Sequence, residues 1–356
     1  AVGESALFAN TTADQNTAVG KSALVSNTTG ANNTAMGKSA LGSNTTGTQS
    51  VAVGVGAVED TTTGNNLSGV GFKALHQNTT GSSNAALGHS ALEANTTGSN
   101  NTAVGISALG SNTTGGQNVA ISKAMFTNTT GNDNIGIGFT SLNFNTTGAN
   151  NVAIGRDSLK ANTTASDNTA VGYQSLLDNT TGSSLVAVGR EALANNTTGA
   201  NNIAVGRSAL ITNTTGNFNT AMGDSALFSN TEGASNVAVG QSAGQFATTA
   251  ASSCFVGKDA AKGITGSKLN GDNNTCIGST SGLVLQDSAS GNTLVGAGCG
   301  AALTTAADNV FIGITAGSNM TTGGGNIIIG NSDGEAVDVA HQIIMGNSVT
   351  GVGQDQ

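Results

Sequence analysis

Apolar positions fall along this chain in two rows at a fixed step, with polar residues between them. The first row stands just before a recurring glycine: Val19, Met36, Val53, Val70, Leu87, Val104, Ile121, Ile137, Ile154 and Val171 precede or align with Gly20, Gly37, Gly54, Gly71, Gly88, Gly105, Gly138, Gly155 and Gly172. Ala or Gly comes one residue earlier, and a mostly β-branched residue (Thr34, Val51, Val119, Ile135, Val152) before that. β-Branched residues suit a pleated, half-buried surface, so this triplet predicts the main strand. The second row follows the glycine by four residues: Leu7, Leu24, Leu41, Val58, Leu75, Leu92, Leu109, Leu142 and Leu159. It predicts a second short strand, with the marker glycine turning the corner. The residue right after that glycine varies most (Lys21, Lys38, His89, Arg156) and is expected to face solvent.

The rows are phased by Asn-Thr-Thr, which begins at Asn10, Asn27, Asn44, Asn78, Asn95, Asn112, Asn128, Asn145, Asn162, Asn179, Asn196 and Asn213, with degenerate copies at Thr61 and Asn230. The step is seventeen residues except between Asn112 and Asn128, where the glycine after Ile121 is missing and Ser122 stands instead. A fixed period means a solenoid whose turns bury their apolar side only against neighbours. Seventeen residues are too few for a helix pair or a propeller blade. The predicted fold is all-β: a parallel β-solenoid of roughly 21 coils, on the order of 100 Å long at about 4.8 Å per coil.

Asn-Thr-Thr-Gly is turn chemistry, since Asn bonds its own backbone and Gly accepts positive φ. A further Asn recurs six residues on (Asn16, Asn33, Asn84, Asn101, Asn118), and stacked Asn rows can bond from coil to coil. The residues expected to form the structural repeat ladder are Asn27, Asn44, Asn78, Asn95, Asn112, Asn145, Asn162, Asn179, Asn196 and Asn213, with Val104, Gly105 and Leu109 as strand, corner and second-row positions. After Gly240 the pattern loosens, with Gly244 where Leu is due, spacings of sixteen to twenty-one and bulkier triplets such as Phe255-Val256 and Phe311-Ile312. Two regions are therefore expected: a regular solenoid over 1–240 and a thicker, irregular end over 241–356, with a loop insertion around Lys262 to Asp272.

Composition narrows the reading. Apolar residues make up 37% and aromatics 3%, with no Trp and no Pro, which allows only a thin core of Ala, Val and Leu. Such a core is a small margin against the ordering of seventeen residues per coil, and predicts association of several chains, three by preference. The net charge of -9 offers no basic face for nucleic acid. No apolar run is long enough to span a bilayer. The chain opens in mid-repeat, which suggests a segment or a processed product.

Little points to chemistry. Cys254, Cys276 and Cys299 occupy different repeat positions and read as buried free thiols. His76, His89 and His341 form no ligand set, and the carboxylates (Glu4, Asp14, Glu59, Asp157, Asp178, Glu191, Asp224) recur at no fixed position. Gly54-Val55-Gly56 and Gly136-Ile137-Gly138 belong to the repeat rather than to phosphate loops. Neither cofactor nor metal nor catalysis is expected.

Asn-Thr-Ala-Val-Gly-x-Ser-Ala-Leu with Asn-Thr-Thr-Gly turns resembles the repeat shafts of bacteriophage and other viral tail fibres. It is also similar to the head repeats of trimeric autotransporter adhesins, which implies a left-handed parallel β-roll in a homotrimer. The resemblance implies an extracellular or virion-surface fibre that presents a receptor- or glycan-binding end. A cleavable chaperone domain, a coiled-coil stalk and a membrane anchor are not visible in it. Two other readings stay open. Regular Thr rows suit an ice-binding solenoid, and a cell-surface filament would share every feature of the fibre. A tailspike-like glycan depolymerase is disfavoured, because such sites need clustered carboxylates and aromatic platforms and the chain has one Tyr, Tyr173.

Overall fold

The structure is a computed structural model and describes residues 1–331 and 340–347. The end of the predicted irregular region, 332–339 and 348–356, lies outside the described residues. Twenty three-residue strands, all parallel, make up the secondary structure, without a helix among the described residues. They divide between two compact units, Ala1–Gln174 and Ser175–Gln356.

In the first unit, β1 (Thr17–Val19) to β10 (Thr169–Val171) pair in sequence order with the repeat in register, as in Thr17↔Thr34 and Ala18↔Ala35. Val2 forms an isolated bridge to Val19 ahead of them, which accounts for one of the expected coils. In the second unit, β11 (Val186–Val188) to β20 (Ile343–Met345) pair in the same way. The change of pattern at residue 240 falls inside this unit, and pairing runs on through it, with Val237↔Cys254 and Ala238↔Phe255 joining β14 (Val237–Val239) to β15 (Cys254–Val256). Each coil is thus a strand plus a long return, stacked on its neighbours as a β-solenoid.

Three expectations change. Only one strand forms per coil. The Leu row lies in a turn where every second residue is left-handed, as at Ser22 (φ 59) and Leu24 (φ 51). The backbone there still bonds between coils: Leu24 N–H donates to Ala40 O at 3.0 Å and Ser22 N–H to Glu4 O at 2.8 Å. Alternating hands bring Ala23 and Leu24 both into the core, which an extended strand cannot do for adjacent residues.

The core is also made of other residues than expected. In a three-residue strand only the middle side chain points inward. Ala18, Ala35, Ala52 and Ala103 are fully or almost fully buried, while Val19 and Met36 stay 39% and 46% exposed. Val104 is half-buried on the same outward side, so the Val row lines the surface and not the interior. Leu, Ala and buried Asn fill each turn.

The marker glycines keep their role at the corner, with φ near 135° at Gly20, and a Cβ there would strike the Gly37 carbonyl. The glycine of Asn-Thr-Thr-Gly is different. Gly47 has no positive φ, and its hydrogen leaves room for the Asn44 side chain and the Gly64 carbonyl. The left-handed residue of that turn comes two positions later, at Asn32, Gln49 and Asn66.

Past residue 240 the strand centre and the turn position change together. Strand centres enlarge to Phe255, Leu294, Phe311 and Ile328, all buried, while the turn Leu becomes Gly244, Gly282, Gly300 and Gly317. A Cβ on Gly244 or Gly317 would run into the ring of Phe255 or Phe311. Large and small residues have traded places between strand centre and turn.

Candidate functional site

The most regular assembly of side chains is a buried Asn ladder. In the first unit Asn44 Nδ2 donates to Asn27 Oδ1 at 2.7 Å, Asn95 to Asn78 at 2.7 Å, Asn112 to Asn95 at 2.8 Å, Asn145 to Asn128 at 2.7 Å and Asn162 to Asn145 at 2.8 Å. In the second unit Asn196 donates to Asn179 and Asn213 to Asn196, both at 2.8 Å. Each Nδ2 spends its other proton on the carbonyl that closes its own turn, as Asn44 does on Gly47 O and Asn162 on Ala165 O, both at 3.0 Å. The second Asn row reaches that oxygen too, with Asn33 Nδ2 on Gly47 O at 2.8 Å, while its Oδ1 accepts the Ser50 amide at 3.0 Å. Where the ladder is continuous, as at Asn95, both amide ends are thereby used, which permits polar burial inside so thin a core.

Two further rows escape a reading of the sequence by composition. The first Thr of each turn donates its hydroxyl to the next coil's Thr carbonyl, Thr28 to Thr45 O and Thr45 to Thr62 O at 3.0 Å. The second residue before the six-spaced Asn accepts the previous coil's amide through its side chain: Thr48 N–H to Asn65 Oδ1 at 2.8 Å, Ser82 N–H to Ser99 Oγ at 3.0 Å. Period-seventeen Ser/Asn at that place was the available signal. The ladder residues, with Gly105 at the corner and Leu109 in the core, hold the coil together, and none of them faces solvent as a binding group would.

The outer surface carries three rows. On the strands, the two flanking positions point outward and place Leu87, Ile121 and Ile154 of the first unit at 52%, 38% and 38% exposure. In the second unit Val188, Met222, Ile277 and Ile312 continue the same position. On the turn, the second Thr of each tetrapeptide (Thr29, Thr46, Thr80, Thr97) is exposed. After the corner, the variable position presents Phe72, Ile106, Phe139 and Tyr173 among its cations, with Phe72 stacked on His89 at 5.1 Å between centroids.

Titratable groups stay scattered. Among the described residues no three His, Cys, Asp or Glu side chains come together as a metal site. Asp157 accepts from the Thr140 hydroxyl at 2.6 Å and pairs with Lys160 at 3.1 Å and Arg156 at 3.3 Å. Burial pushes its carboxyl up, but Thr140, Lys160 and Arg156 together outweigh burial and hold it below the usual range. Cys276 and Cys299 are buried free thiols, whereas Cys254 is half-buried on the outward side of β15. Burial pushes the Cys276 thiol well up, with the neighbouring cysteines adding to it, and takes Cys299 to about 12.

The insertion is tied back by Leu269, which is buried and bridges Ala247 and Asp287. It walls a groove of about 390 Å³ against Thr231, Phe246 and Thr248, with Lys268 at its edge. No helix among the described residues is long and apolar enough to cross a membrane. Neither a family model nor a curated protein matches the chain.

Proposed function

We propose that this chain is a structural and adhesive segment of an extracellular or virion-surface fibre, in which three copies pack along their strands as left-handed rolls. The observation that carries the reading is the outward aliphatic row. Val, Ile, Leu and Met repeat at the same strand position in coil after coil and stay partly exposed. Contiguous apolar patches on this scale mark interaction surfaces, and a repeating one is satisfied by a repeating partner, which a second copy supplies. A thin core of Ala, Leu and Asn gains from such burial. Attachment to a cell-surface receptor or glycan is then the task of the variable outward positions and of the loops in the irregular end.

Replacing Leu87 and Val104 together by Lys tests this. Both side chains are outward, so each subunit keeps its ladder while the shared face becomes charged. Sedimentation is expected to show dissociation to single folded chains, and an unchanged assembly would exclude the strand face as the contact.

The exposed Thr row favours a second reading, an ice-binding solenoid. Thermal hysteresis in a cooling assay supports it, and its absence removes it. A cell-surface filament differs from the fibre only in open-ended assembly, which the same sedimentation run separates.

A further inference from the structure

The single sixteen-residue coil is where the first unit departs from its own rule. In a regular coil, the residue two places after the marker glycine donates its amide to the outward residue of the coil before. Ser90 N–H reaches Phe72 O at 2.9 Å, Ser107 reaches His89 O at 2.9 Å, Thr140 reaches Lys123 O at 3.1 Å and Asp157 reaches Phe139 O at 3.0 Å. The coil containing β7 (Val119–Ile121) keeps the corner, because Ser122 takes the glycine's place at φ 76 and donates to Val104 O at 2.7 Å. It also keeps the core, with Ala124 and Met125 in the buried Ala and Leu positions. The missing residue is therefore not the glycine but the amide donor behind it, and only Lys123 remains between corner and core.

Two consequences follow at one place. The Ile106 carbonyl accepts no hydrogen bond from the next coil among the described residues. A notch of about 310 Å³ opens, lined by Gly105, Ile106, Ser122, Lys123 and Phe139. Its apolar walls, Ile106 at 66% and Phe139 at 52% exposure, stand two coils apart, roughly 9.5 Å between backbones. Lys123 lines the notch between these walls, with its ammonium over the Phe126 ring at 5.9 Å. This outward row also carries cations on an acidic chain, of which Lys21 pairs with Glu4 and Arg156 with Asp157. From Lys21 to Tyr173 it holds Lys38, Lys123 and Arg156 and no carboxylate.

We infer that this notch is a binding slot for one ring of an acidic saccharide. Apolar walls suit the C–H faces of a sugar ring. The open Ile106 carbonyl needs a donor, which a ring hydroxyl supplies, and leaving it bare in the complex would be unfavourable. Lys123 pairs with the carboxylate by a charge-assisted bond. An aromatic acid without hydroxyls leaves the carbonyl unpaired, and a neutral sugar leaves the lysine unused. The chemistry stands on the notch alone. Its assignment to a surface polysaccharide rests on the adhesive-fibre reading.

The test uses tetragalacturonate as the acidic probe and maltotetraose as the neutral one, read by calorimetry and saturation-transfer NMR on the intact chain. Native protein is expected to bind the uronate at least tenfold more tightly than the neutral sugar. Inserting a Gly between Ser122 and Lys123 restores the seventeen-residue coil, and is expected to weaken binding at least tenfold, as is Lys123→Gln. Lys38→Gln, in the same row but away from the notch, leaves it unchanged. Phe139→Ser replaces the insertion variant if that chain fails to fold. No uronate binding by the native chain, equal binding of both sugars, or full binding by the insertion variant and Lys123→Gln overturns the proposal. Assembly is scored on the same samples: intact assembly without uronate binding removes the slot alone, and uronate binding by single chains removes the fibre reading and keeps the slot.

Discussion

Asn44 and Thr61 meet at the one place in the first unit where the buried Asn ladder is interrupted. Thr61 stands where the next Asn is due, and its hydroxyl donates to the Asn78 carbonyl at 2.9 Å and accepts from Asn78 Nδ2 at 3.1 Å. The Asn44 Oδ1 below it is buried with no partner.

Thr61→Asn supplies that partner. An unsatisfied buried acceptor costs about 1–3 kcal/mol, and a gained bond returns about 1 kcal/mol after the altered contact to Asn78 is allowed for. The urea midpoint is expected to rise without a change in m-value. An unchanged or lower midpoint would mean that the ladder does not add from coil to coil.

The exchange of Phe311 and Gly317 in the irregular end gives a paired test. Phe311→Ala alone leaves a cavity and is expected to destabilise by about 3–5 kcal/mol. Adding Gly317→Leu rebuilds the Ala-plus-Leu coil used elsewhere, where Leu already adopts the required left-handed φ, as at Leu92 (φ 52). Denaturation of both variants should show the double mutant recovering at least half of the loss. Additive destabilisation would contradict the exchange.

Thiol chemistry follows burial. At pH 8 Cys276 and Cys299 remain protonated and enclosed, so two of the three thiols should stay silent towards Ellman's reagent until denaturant is added. Reaction of all three in the folded chain would mean that the irregular end opens.

Asp157 sets an acid-sensitive point. Its folded carboxyl lies below the usual value, so its stabilisation is complete above the unfolded pKa of about 3.9 and is lost as pH falls through the folded one. Asp157→Asn is expected to lower stability at pH 7 and to flatten the decline below about pH 4. An identical acid limb in both proteins would dissociate Asp157 from it.

Much of this fold was legible because one period dominates. The seventeen-residue step gives the solenoid, and the phase of Asn-Thr-Thr-Gly locates both buried Asn rows. The inward or outward sense of the strand was harder to read. Val104 and Ala103 are both apolar, and only the narrowness of the coil decides that the smaller one goes inside. The second row misled for a related reason. Leu109 beside Ala108 looks like a strand edge, yet burying both neighbours needs a left-handed residue, which Leu rarely adopts in isolation. The loss of one residue beside Ser122 was legible as a shortened step. Which residue had gone was settled only by the amide that no longer reaches Ile106.

The native mass of the purified chain, by light scattering or native mass spectrometry, tests the central claim most directly. Three copies packed along their outward strand faces predict a mass near three times 34.5 kDa. A mass near 34.5 kDa would contradict it: the Asn ladders and thin core would then suffice alone, and the aliphatic row would need another partner.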